Sequence, residues 1–329
     1  MKWAWRFLNT EIGDPSLLLQ SSQGNSILFD AGHLSGLSDK QMMSISTVCL
    51  THFHLDHCEG FVNWLRVRAR SPHPGWTRIM GPAGTRERVM SLTQGFEWNL
   101  LDIDAFGFEV WEPCEGGYIQ SLVRFASGVY LDFESYFESL PKGWSMVRLD
   151  HHGVEVVGFG FRGAPIWNFD SDLFVPGPWV QTLKESVERG DLERGIQTPQ
   201  GLYSAGELSS QCLTEFQPSF AYLTDFVFSQ QNAEAVEAWG EFHTVFCEAS
   251  FPTEERARAL RVGHLTAYQA ALVACLLGAV RFEPFHMSPA FPQSATRKEA
   301  LDCFGQQTDN IAETVMAELL KVKKNLPYV

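Results

Sequence analysis

The sequence predicts a mixed α/β protein with two strand-rich halves, each backed by helices, and three observations carry that prediction. Short apolar, β-branched runs recur in both halves and stop at polar residues: 46–50 early in the chain, and 219–225, 243–251 and 282–288 late in it. Helical patterns follow the loops that leave these runs, at 60–65, 232–242 and 267–277. A length of 329 residues with 45% hydrophobic and 13% aromatic content supports a large core, in one domain of two sheets or in two domains.

The elements follow in order. Residues 3–8 and 16–21 alternate as strands, and 22–25 is a turn. Residues 26–32 form a strand that ends in Asp30 and Gly32. After the helix that starts at Gly60, arginines alternate through 64–70, which either extends the helix or makes a phosphate-facing edge. Residues 78–85 predict strand, turn and helix start, and 98–148 predict a series of strands broken by Gly116-Gly117 and Pro141-Lys142-Gly143. The stretch 160–215 is the least regular, with a charged helix over 180–189. At the end, Ile311, Val315, Leu319 and Val322 share one face of an amphipathic helix, which packs on the body or on a second copy in a homodimer.

Charge and cysteines narrow the setting. The net charge of −14 and a pI near 5.1 repel polyanions at long range. Between residues 162 and 200, four basic residues face six acidic ones. Seven cysteines without a CxxC pair predict reduced thiols and a cytosolic location. The start has no signal-peptide core, and no run of about 18 apolar residues predicts a membrane span.

Four side chains dominate the chemistry. His52, His54, Asp56 and His57 sit on the loop leaving the 46–50 strand, in a chain with only ten histidines. Imidazole and carboxylate suit Zn²⁺ and similar ions. One loop can feed one metal through His52 and His54 and a second through Asp56 and His57.

This HxHxDH pattern resembles the metallo-β-lactamase superfamily, and the resemblance runs from about residue 16 to 291. Gly81-Pro82-Ala83-Gly84-Thr85, the 243–251 strand and Gly263-His264-Leu265-Thr266 are similar to the GPxGT, HEAT and HST motifs of its ribonuclease Z branch. Gly32-His33-Leu34-Ser35-Gly36 departs from that branch's GEGTQ-like stretch. The resemblance implies a four-layer αββα sandwich. It makes residues 1–329 a single domain with an irregular insertion at about 160–215, where relatives carry a substrate-binding arm, and a C-terminal helical extension at about 295–329.

It also implies two divalent ions, zinc by default, with manganese or iron admitted by the same donors. His52, His54 and His152 would hold one ion, Asp56, His57 and His286 the other, with Asp225 bridging. His152 is preferred to His151 because its spacing to Gly158-Phe159 matches the family's third-histidine motif. Only one of two neighbouring strand residues can face the metals. Asp30 would brace the loop. Asp56 would take a proton from a metal-bridging water, and His264, oriented by Glu248, would stabilise an oxyanion or protonate the leaving oxygen. The implied function is a dinuclear metal-dependent phosphodiesterase, with a small phosphodiester slightly favoured over a pre-tRNA 3′ end. The alternative is hydrolysis of a thioester, lactone or other carbonyl substrate on the same metals.

Overall fold

A computed structural model describes residues 3–8, 14–21, 24–71, 75–97, 106–126, 129–306 and 310–324. The start of the expected strand series, 98–105, part of the turn at 22–25 and the extension beyond 324 lie outside the described residues. The chain divides into two compact units, Met1–Phe161 with Ser219–Val329, and Arg162–Pro218.

The larger unit begins with β1 (Trp3–Phe7), β2 (Leu17–Ser21), β3 (Ser26–Phe29), α1 (Asp39–Ser44), β4 (Ile45–Cys49), the single turn α2 (Leu55–Cys58), α3 (Phe61–Ala69), β5 (Gly75–Met80), α4 (Thr85–Gln94), β6 (Phe106–Cys114), β7 (Gly117–Ala126) and β8 (Val129–Phe137). These eight strands form one sheet in sequence order. β3 to β6 run parallel, with helices in their crossovers, and antiparallel hairpins close both edges. The arginine-rich stretch extends α3 through Ala69. Buried Arg68 donates to Thr77 Oγ1 and Met43 O, each at 3.1 Å, so it serves the core.

The second half starts with β9 (Trp144–His151) and β10 (Val154–Arg162). The smaller unit then supplies β11 (Ile166–Phe169), α5 (Trp179–Arg189), β12 (Gly195–Thr198), β13 (Gly201–Ser204), α6 (Ala205–Cys212) and β14 (Leu213–Phe216). This region was expected to be irregular, yet β11 pairs with β14 and β12 with β13. Phe174, Trp179, Leu183, Ile196 and Leu208 give it a core of its own. The larger unit resumes with β15 (Ser219–Leu223), α7 (Gln230–Trp239), β16 (Thr244–Glu248), α8 (Arg256–Val262), α9 (Ala267–Leu276), β17 (Arg281–Phe285), α10 (Gln293–Gly305) and α11 (Ile311–Lys324). Its second sheet has the order β17-β16-β15-β10-β9, with β15, β16 and β17 parallel.

Alternation along the strands builds the layers. Leu17, Leu19 and Phe29 of the first sheet meet Phe159, Tyr222, Phe246 and Phe285 of the second in one cluster. Leu18, Leu28 and Val48 turn the other way, onto Phe61, Trp64 and Leu65 of α3. Ala221, Leu223, Val245 and Cys247 pack beneath α7 and α9. Val315, Leu319 and Val322 of α11 join that cluster, so this face of the C-terminal helix lies on the body. The result is helix, sheet, sheet, helix. Strands covered on both faces are apolar throughout, as in the Leu17-Leu18-Leu19 run of β2.

Candidate metal centre

The centre lies where strands of both sheets end. After β4 the chain turns sharply, and α2 carries Asp56 and His57 only a few residues beyond His52 and His54. Asp30, just after β3, stands behind this loop and is fully buried. Its Oδ1 accepts from Thr51 N at 2.8 Å and from Thr51 Oγ1 at 2.9 Å. Its Oδ2 lies 3.1 Å from both His57 Nδ1 and the donating hydroxyl of Tyr222. Such a contact at Nδ1 sets the ring and leaves Nε2 to face the centre.

The second sheet delivers its groups singly. Asp225 follows β15, Glu248 ends β16 and His286 follows β17; the parallel register sets these strand ends side by side. Asp30, Asp225 and His286 have φ of 51°, 45° and 56°, a left-handed conformation that non-glycine residues seldom adopt. It appears here at three of the strand ends that aim polar groups into one space.

Asp225 sits centrally. Its Oδ2 lies 3.2 Å from His57 Nε2 and 3.7 Å from His52 Nε2, and its Oδ1 lies 2.8 Å from His286 Nδ1. The donor atoms of His52, His54 and Asp225 fall within 4.8 Å of one another, as do those of Asp56, His57, Asp225 and His286. One carboxylate thus stands in both donor sets.

The third histidine corrects the expectation. The His151 ring centroid lies 5.8 Å from that of His52 and 5.2 Å from that of His54. His152 points away, is exposed, and has Nε2 2.8 Å from Leu260 O. The cause is the turn. His151 pairs with Val154, so His152 and Gly153 form a two-residue hairpin loop with φ of 51° and 85°. Positive φ at both loop residues marks the type I′ hairpin, which takes His152 out of the strand and leaves His151 facing the site. Among the seven expected ligand positions, the structure brings together six and turns His152 away, with the His151 ring beside those of His52 and His54.

No family model matches the chain. Its sequence is 24% identical to the ribonuclease Z of Deinococcus radiodurans over 305 residues, 83% of this chain and 85% of that one. Among solved structures, the Bacillus subtilis metallo-β-lactamase fold protein YhfI superposes with a TM-score of 0.53 at 14% identity, covering 92% of this chain and 93% of that one. Human tRNase Z, short form, gives 0.50 at 18% identity, covering 86% and 92%. The chain has the metallo-β-lactamase fold. Its relatives by sequence are ribonucleases Z.

Within this fold the donor set suits cations. His52 Nε2, His57 Nε2 and His286 Nδ1 are buried and make no hydrogen bond, and all three face Asp225. Buried polar atoms without partners are rare, and three around one carboxylate mark a place for a bound group. Burial, reinforced by His57, pushes His52 down to about 2, and burial with His151 lowers His54, so both rings are neutral as ligands must be. Burial opposes charge on His57, yet the carboxylates of Asp225 and Asp30 raise it well above the ordinary value. The same field favours a cation.

Glu248 and His264 form the adjoining wall. Buried Glu248 accepts from Phe226 N at 3.1 Å, from Ser250 Oγ at 2.5 Å and from His264 Nδ1 at 3.0 Å. Burial disfavours the imidazolium of His264, but the Glu248 carboxylate outweighs it and raises the group to about 9. A cleft of about 230 Å³ opens here, lined by Asp56, Phe251, Val262, His264, His286 and Met287 among others. Thr51, Tyr222 and Ser250, which orient Asp30 and Glu248, escape sequence reasoning because nothing in their spacing marks them.

Proposed function

We propose that this metal-dependent hydrolase cleaves phosphodiesters, with small phosphodiesters slightly favoured over a pre-tRNA 3′ end. In this reading His52, His54, His151 and Asp225 would hold one divalent ion, zinc by default, and Asp56, His57, Asp225 and His286 would hold another. Such ions, when bound, polarise phosphoryl oxygens and bring the pKa of a water to about 7. Asp56, half-buried at the mouth, takes the attacking water's proton. Glu248 fixes the His264 ring through Nδ1 and favours its protonated form, so Nε2 offers a proton to the leaving oxygen.

The observation that carries the reading is this Glu248–His264 pair on the cleft wall, 3.0 Å across and beside Asp225. Size and charge support a small substrate. The cleft of about 230 Å³ is below the roughly 300–1,000 Å³ of ordinary ligand pockets. The 162–218 unit holds four basic and eight acidic residues, an unfavourable surface for RNA phosphates.

The test compares purified, metal-analysed protein on bis(p-nitrophenyl) phosphate, a thioester and pre-tRNA. On an alkyl phosphodiester added to that panel, whose alkoxide needs the proton, His264→Ala should retain its metals while losing about 10²–10⁴-fold in turnover. Full activity in that variant, or thioester cleavage with none on any phosphodiester, would overturn the reading. Efficient pre-tRNA processing at physiological salt would overturn the preference for small substrates.

A further inference from the structure

The hairpin loop that turns His152 away from the metals brings it to another place with a consequence. α8 is capped at its C-terminus by Gly263, in the left-handed conformation with φ of 84°, and the next residue is His264. His152 Nε2 lies 2.8 Å from Leu260 O in the last turn of α8. His151 Nδ1 lies 2.9 Å from Gly263 O. A carbonyl only accepts, so each imidazole donates. Two successive histidines therefore hold two carbonyls of the segment that delivers His264.

The fit leaves little slack. A Cβ at Gly263 would come within 2.5 Å of His151 Nδ1 and 2.9 Å of His152 Cδ2. Leu260 O also accepts from Gly263 N at 3.3 Å, and Ala259 O accepts from His264 N at 3.0 Å. The His264 ring is then held from the other side by Glu248.

We propose that His152 is a positioning residue for His264, acting through the end of α8. The hairpin would thus serve both ends of the reaction, with His151 in the metal set and His152 clamping the segment that bears the proton donor. The proposal rests on the reading that His264 protonates the leaving oxygen.

The experiment uses two phosphodiesters that differ in how much they need that proton. A p-nitrophenolate leaves readily as an anion, whereas an alkoxide does not. His152→Asn preserves the turn, because asparagine tolerates positive φ, but its side chain is too short to reach Leu260 O. His152→Gln retains a donor at the distance of Nε2. With melting temperature and metal content unchanged, His152→Asn should lower kcat on an alkyl phosphodiester about tenfold, part of the roughly 10²–10⁴-fold that such a donor supplies. KM should hold, and kcat on bis(p-nitrophenyl) phosphate should change less than about twofold. His152→Gln should recover most of the alkyl ester rate. Equal loss on both substrates, no loss on either, or no recovery with glutamine would overturn the proposal. His264→Ala is run alongside: if it fails to distinguish the two leaving groups, the reading of His264 itself falls, and the catalytic role of the clamp with it.

Discussion

The two halves of the larger unit build their shares of the centre in opposite ways. The first delivers His52, His54, Asp56 and His57 from one short loop, held from behind by the single carboxylate of Asp30. The second delivers one side chain per strand end, Asp225, Glu248 and His286, placed together because β15, β16 and β17 run parallel in register. The first arrangement is local and depends on a turn. The second is a property of a whole sheet, and a shift of one strand would misplace a ligand without changing any motif.

Four experiments press on that contrast. The strongest is Asp225→Ala, since this residue stands in both donor sets and joins the halves. Turnover should fall about a thousandfold or more, the several kcal/mol that bound-ion charge contributes, and metal analysis should show ions lost. Retention of two equivalents per chain would show that the loop holds its ions without the second sheet.

Next comes Asp30→Asn, which leaves every proposed ligand in place. Affinity for the metal should drop about 10–100-fold in a chelator competition, because His57 loses the carboxylate that orients its ring. An unchanged affinity would mean that the loop holds its shape unaided. Chelation of the unmutated protein should lower its melting temperature. A ligand present at a hundred times its dissociation constant stabilises by about 2.7 kcal/mol, and the measurement is a melt with and without added zinc. The smallest effect belongs to Thr266→Ala. Thr266 caps α9, accepting from Gln269 N at 3.3 Å within a reciprocal capping box. Its loss should lower stability by about 1 kcal/mol in denaturant titration. Metal content should stay constant, which separates support of the helix from support of the site.

The same contrast governs what could be read from the residues. The 52–57 loop is legible because its ligands are contiguous, and the layered order of strands and helices is legible from alternating and helical periodicity. Asp225, Glu248 and His286 are legible only through their resemblance to family motifs, since nothing local shows that their strands are neighbours. His151 was passed over for His152 because the match to the family motif rested on spacing to Gly158-Phe159, and spacing does not show where the strand turns. It ends at His151, and the His152-Gly153 pair begins the return. The smaller unit looked irregular because its strands, at four residues each, are too short to show a period, and β11 finds its partner β14 far off in sequence.

Tyr222 stands in the second sheet and Asp30 at the end of a strand in the first. One buried carboxylate therefore draws hydrogen bonds from the second sheet and from the loop that leaves the first. The two sheets are fastened by a polar knot at the rim as well as by the apolar side chains between them, and neither can slip past the other while it stays tied. Opening the sandwich at this rim breaks the bond from Tyr222 and exposes the Asp30 carboxylate.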